Sequence, residues 1–156
     1  MAPTIILLDI EGTTTPVSFV YEVLFPFARE RARGFLLEHW HRSEPDHDIR
    51  ADLARLTEEN RQDRNTGFNP PALSEDSREK TGYIESVVAY VHWLMDQDRK
   101  STGLKSLQGK IWDEGYRSGL LVGEVFDDVP RAFERWQRRG KRICIFSSGS
   151  VFAQQL

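Results

Sequence analysis

Two short, unbroken apolar runs stand near the ends of this chain. The first, Thr4-Ile5-Ile6-Leu7-Leu8, stops at Asp9 and then at Gly12. The second, Arg142-Ile143-Cys144-Ile145-Phe146, ends abruptly in Ser147-Ser148-Gly149-Ser150. Runs of this kind, β-branched and without polar alternation, predict strands buried on both faces, as in a parallel sheet. Each gives way to small or polar residues. The pattern therefore predicts an α/β sheet whose site lies beyond the strand carboxyl ends.

Most of the sequence between the two runs carries helical periodicity. Ser18 is placed to cap a first helix, which Pro26 should break or restart before residues 27–40. Residues 48–63 set Ile49, Leu53 and Leu56 at helical spacing among charges, and residues 65–76, with Gly67, Pro70, Pro71 and Ser74, predict a loop. Ile84, Val87, Val88, Val91, Leu94 and Met95 form one face of a long amphipathic helix. Another helix is predicted over residues 102–116. Asp127-Asp128-Val129-Pro130 opens a last one that runs to Arg139, with the aspartates as its N-terminal cap and Gly140 as its stop. This helix leads into the second strand and can serve as the crossover of a βαβ unit. The layout predicts a sheet core from residues 1–15 plus 125–156, carrying a helical cap from residues 16–124.

Composition narrows the class. The chain has 156 residues, 39% of them hydrophobic and 29% charged, which suits one globular domain and leaves little room for two independent cores. A net charge of −3 gives no field that would draw it to nucleic acid or an anionic membrane. No apolar stretch approaches a bilayer span, and the first residues do not read as a signal peptide. The single cysteine, Cys144, cannot build a disulfide framework and sits among apolar neighbours, as a packed residue in a reducing cytosol would.

The strongest chemical signal is Asp9-Ile10-Glu11-Gly12-Thr13 at the end of the first predicted strand. Carboxylates at i and i+2 of an extended segment project to the same side. Gly12 permits a sharp turn, and Thr13 can donate a hydroxyl hydrogen bond back to a carboxylate. An aspartate beside a divalent cation can attack phosphorus, and a second acid can protonate the leaving oxygen and then activate water. The bland alternative is a polar turn. Ser147 to Ser150 form a small-residue turn whose backbone N–H groups suit an anion, the alternative being a solvated loop. His39 and His41 flank Trp40 at a spacing that splits them across a helix, which argues against a zinc pair. The basic residues near 29–33 and 135–142 read as solvated faces, and Trp93, Trp112 and Trp136 as core.

Asp9-Ile10-Glu11-Gly12-Thr13 resembles the first signature of the haloacid dehalogenase superfamily, whose usual form is Asp-X-Asp-Gly-Thr. Glutamate in the second acid position departs from that form and is typical of the enolase-phosphatases of methionine salvage. Their wording continues in Thr14-Thr15-Pro16-Val17-Ser18-Phe19-Val20 and Leu24-Phe25-Pro26-Phe27-Ala28-Arg29. It returns in Leu107-Gln108-Gly109-Lys110-Ile111-Trp112 with Gly115-Tyr116, and in Phe146-Ser147-Ser148-Gly149-Ser150-Val151, which resembles the superfamily's second signature.

The resemblance implies a haloacid dehalogenase-like fold with an inserted helical cap, and a magnesium-dependent phosphohydrolase. Asp9 would be nucleophile and Mg2+ ligand. Glu11 would give a backbone carbonyl to the metal and a side chain for acid–base work. Ser147 would hold a phosphate oxygen, with the amides of Ser148 and Gly149 helping. The implied substrate is a small-molecule phosphate ester, 2,3-diketo-5-methylthiopentyl phosphate, enolised and dephosphorylated to an acireductone; magnesium can serve both steps. The expectation is a cytoplasmic protein, its oligomeric state left open with a monomer favoured over an oligomer. The superfamily also carries a lysine motif and a downstream acidic motif well beyond its second signature, and the sequence to Leu156 contains neither. Lys141 precedes the second strand, at the wrong end of the sheet. Two other readings stand beside this one: a phosphatase of the same superfamily for another small ester, and a non-catalytic remnant. The chain alone is expected not to turn over at a normal rate, with apolar strand faces left open to water.

Overall fold

In a computed structural model, residues 4–40, 49–74 and 79–147 are described. They form two strands and five α-helices in the order β1 (Ile5–Leu8), a π-helical segment (Phe19–Leu24), α1 (Phe25–His39), α2 (Arg50–Asn65), α3 (Lys80–Asp96), α4 (Thr102–Arg117), α5 (Val129–Arg138) and β2 (Arg142–Ile145). The predicted elements are all present, with α2 shifted two residues towards the C-terminus. β1 and β2 pair in parallel, Ile5 opposite Arg142 and Leu8 opposite Ile145, with α5 as the connection that leads into β2.

The core lies among the helices. Leu36 of α1, Leu56 of α2, Ile84, Val87, Tyr90 and Leu94 of α3, and Leu107 and Ile111 of α4 are all buried in one cluster. Each of α1 to α4 places its buried residues three or four apart, so each turns one stripe inward. Buried ionic contacts lock the arrangement. Lys110 pairs with the buried carboxylate of Asp52. Glu59 of α2 accepts hydrogen bonds from the Ser101 hydroxyl and from the amides of Thr102 (2.9 Å) and Gly103 (3.2 Å), and so caps α4 from another helix. Ser101 itself accepts from Leu104 N–H at 2.8 Å. The Tyr90 hydroxyl donates to Asp63 at 2.8 Å, and Arg99 bonds the same carboxylate. Burial, then the Asp63 charge, pushes the Tyr90 phenol well above its ordinary range, so it stays a donor. Arg99 also stacks over Phe68, 3.9 Å from the ring centroid.

Three expectations need correction. The strands are not buried on both faces: Ile5 is 46% exposed, Leu7 62%, Ile145 43% and Phe146 75%. A two-stranded sheet has two open edges, and α5, which lies against β2, contributes no buried residue.

Pro26 restarts the helix, as expected, in the first turn of α1, and the chain runs on without a break. The chain widens before it, Phe25 N–H reaching the Val20 carbonyl five residues back, and continues into α1. Pro26 lacks an N–H and its ring crowds the carbonyl a turn earlier, and the wider π-turn relieves both. Ser18 and Asp128 occupy cap positions without capping. Both have α-region backbone angles, where a side chain cannot fold back on the first-turn amides. Trp136 is half-buried against Phe133 rather than in the core.

Gly140, at φ +68°, ends α5 as expected. Among the described residues no helix is long and apolar enough to cross a membrane.

Lys110→Met leaves the buried Asp52 carboxylate without this counter-ion and should cost about 3–5 kcal/mol in urea unfolding. The double variant D52N/K110M should recover most of that loss, because no uncompensated charge remains.

Candidate functional site

β1 and β2 run in the same direction, so their carboxyl ends lie side by side. The ladder ends with the Phe146 N–H donating to the Leu8 carbonyl at 2.8 Å. Asp9 is the next residue on one strand and Ser147 the next on the other. Asp9 and Ser147 therefore stand at the same end of the sheet, Asp9 exposed and Ser147 half-buried. Ser148 and Gly149 lie outside the described residues.

After Asp9 the chain makes a tight, internally bonded turn. The Thr13, Thr14 and Thr15 amides all converge on the Ile10 carbonyl at 2.9–3.1 Å, and Gly12 N–H donates to Thr15 O at 2.7 Å. Glu11 and Thr15 pair across the turn, and Glu11 remains exposed. Gly12 has φ +75°, and a Cβ there would lie 3.0 Å from Val17 Cγ2. Glycine is thus required twice over, by backbone angle and by space. Asp9 Oδ1 accepts from the Ile10 N–H at 2.8 Å, which fixes the carboxylate at the mouth of the turn.

The expected Thr13 hydroxyl bond to a carboxylate is not found among the described residues. It is Thr14, buried, whose hydroxyl turns back, to the carbonyls of Asp9 (3.5 Å) and Ile10 (3.3 Å). In a run of three threonines only the one facing inward can do this, and the sequence carries no sign of which it is. Thr14 also accepts the Phe126 N–H at 3.0 Å, which ties the chain returning from the helices to the turn that precedes them.

The further motif residues hold the helices against this region. The Trp112 indole N–H donates to the Leu24 carbonyl at 2.8 Å, and the Trp112 ring stacks on Phe25 at 6.3 Å between centroids. A Cβ on Gly115 would lie 2.7 Å from the Phe27 ring, so α4 approaches α1 there only because the residue is glycine.

A parallel strand pair with Asp9 and Ser147 at its carboxyl end, set among helices, defines an α/β protein. No family model matches the chain. Proteins named enolase-phosphatase E1 match it nearly end to end: that of Synechococcus elongatus is 52% identical over 153 residues, that of Dictyostelium discoideum 44% over 164, and that of Xenopus tropicalis 43% over 154. The matches cover 98%, 100% and 98% of this chain and 59%, 61% and 58% of those proteins. The chain therefore belongs to the enolase-phosphatase family and spans about three fifths of the length of these relatives. The solved structure of the UTR4 protein of Saccharomyces cerevisiae is also similar, with a TM-score of 0.63 and 32% identity over 97% of this chain and 54% of that one.

Gly12→Ala should lower stability by about 1–2 kcal/mol, the cost of a left-handed backbone at a residue with a Cβ. Adding Val17→Ala should return only the contact part of that loss, so the double variant stays measurably below V17A alone in thermal unfolding.

Proposed function

We propose that this chain supplies the nucleophile-bearing part of a magnesium-dependent enolase-phosphatase. In this reading the fold is haloacid dehalogenase-like, with residues 1–15 and 125–156 as the sheet core and residues 16–124 as the cap. The observation that carries the reading is the parallel register of β1 and β2, which sets Asp9 and Ser147 at one strand end. The substrate is a small phosphate ester, 2,3-diketo-5-methylthiopentyl phosphate, on the strength of the family's name and motifs.

The donor set suits magnesium. Asp9 offers an exposed carboxylate whose Oδ1 is already oriented by an amide, and Glu11 adds a main-chain carbonyl in the same turn. These are hard oxygen donors, as Mg2+ prefers. When bound there, the ion would neutralise phosphoryl charge and polarise a carbonyl.

The chain's own residues would act as follows. An Asp9 carboxylate oxygen attacks phosphorus, and the ester oxygen leaves with a proton from the Glu11 carboxyl. Water then attacks the aspartyl-phosphate, the Glu11 carboxylate takes its proton, and Asp9 is regenerated as phosphate departs. The Ser147 hydroxyl and the amides around Ser148 and Gly149 bind phosphate oxygens, and the tight turn after Asp9 keeps the nucleophile in place.

Two outcomes test this. In a chain extended to family length with the remainder of the Synechococcus elongatus protein, Asp9→Asn should abolish phosphate release. Activity within about tenfold of the parent would mean less than about 1.4 kcal/mol of lost transition-state stabilisation and would remove Asp9 from the nucleophile role. Residues 1–156 alone, lacking the lysine and downstream acidic motifs, should run slower than the extended form by more than the about hundred- to thousandfold typical of one lost electrostatic contact. Equal rates in a phosphate-release assay would overturn that expectation.

A further inference from the structure

A second cluster of metal-binding side chains lies between α1 and α4. One ligand atom each from Glu38, His39 and Glu114 fall within 4.8 Å of one another. His39 is 2% exposed, and its Nε2 is 3.0 Å from Glu114 Oε2. Its ring packs against Phe35, 4.3 Å between centroids, which fixes its plane. Glu38 and Glu114 both line a groove that opens to solvent, together with Glu30, Arg31 and Gly34. The Arg31 guanidinium lies over the Phe27 ring, 4.9 Å from its centroid, so the groove's cation has an aromatic face to rest on, and three carboxylates set the local charge.

We infer that this cluster is a binding site for a zinc-class divalent cation, independent of the chemistry proposed at Asp9. The donor set is one imidazole nitrogen and two carboxylate oxygens, with a fourth position open to water through the groove. Metal–ligand bonds of about 2.0–2.2 Å in a tetrahedron place the donor atoms a little over 3 Å apart. The His39–Glu114 pair already stands near that separation. Glu38, exposed in the last turn of α1, would close the remaining distance by a change of rotamer. The imidazole separates this site from one for magnesium, because nitrogen donors suit zinc and its neighbours while Mg2+ takes oxygen. The groove provides an entry path, and a bound ion would bridge α1 and α4, so occupancy would appear as added stability of the helical part.

Metal-free chain titrated with zinc in a non-chelating buffer containing excess magnesium should take up one zinc per chain, and its melting temperature should rise. Cobalt(II) in its place should give the visible absorption of a four- or five-coordinate nitrogen–oxygen site. Glu38→Gln should weaken zinc binding by at least about tenfold and shrink the zinc-induced rise measured against the variant's own metal-free melting temperature. Glu114→Gln should weaken it likewise, whatever its effect on the metal-free fold. No uptake by the unaltered chain would overturn the proposal. So would equal uptake by both variants, since the zinc would then sit on other histidines. A zinc affinity that falls in proportion to added magnesium would overturn the claimed selectivity.

Discussion

The parallel ladder between β1 and β2 joins segments from opposite ends of the sequence through four residue pairs, and the placing of Asp9 and Ser147 at one end of the sheet follows from its register. Successive strand residues alternate faces, so a slip of one position would turn each apolar side chain to the other face and offset Ser147 from Asp9. The ladder is also the least protected part of the protein. None of its side chains is fully buried, and Ile5, Leu7 and Ile145 are exposed, while α1 to α4 bury theirs. Stability and proposed chemistry are therefore separated in this chain: the first resides in the helices, the second at the end of a bare strand pair.

The helical part draws its specificity from pairs that span long stretches of sequence. Asp52 with Lys110, Glu59 with the start of α4, and Asp63 with Tyr90 and Arg99 all join α2 to later segments. α2 is the most charged of the helices and carries few apolar residues, so its place depends on these partners more than on buried area. The exposed pairs Arg29–Asp96 and Arg33–Glu85, which link α1 to α3, add little, because solvent screens them.

How much was legible in the sequence follows the range of each interaction. Both strands and all five helices are written in local periodicity, and so is the strand-end position of Asp9 and Ser147, because an apolar run ends in each case where polar residues begin. The burial of those strands was not legible, since it depends on neighbours outside the run. Caps were misread at Ser18 and Asp128 because residue type suits a cap while backbone angles decide it. Thr14, the Trp112–Leu24 bond and the meeting of His39 with Glu114 pair residues through the fold, and no local pattern announces them. The motif wording did mark Gly115 and Phe27, and the structure supplies the physical reason in their close approach.

The hydrogen bond from Phe126 to Thr14 has a mechanical meaning. The chain leaves the sheet for the helices through the turn at residues 10–15 and comes back past the same turn, so its outgoing and returning segments meet a few residues beyond Asp9. Four packed helices are thereby hung on a narrow neck. A small rotation of the backbone at such a neck swings the far side of the helical body through a large arc while its internal packing stays intact. The fulcrum of that lever would lie within a few residues of Asp9, where the smallest displacement occurs and where the proposed in-line attack would demand the closest alignment.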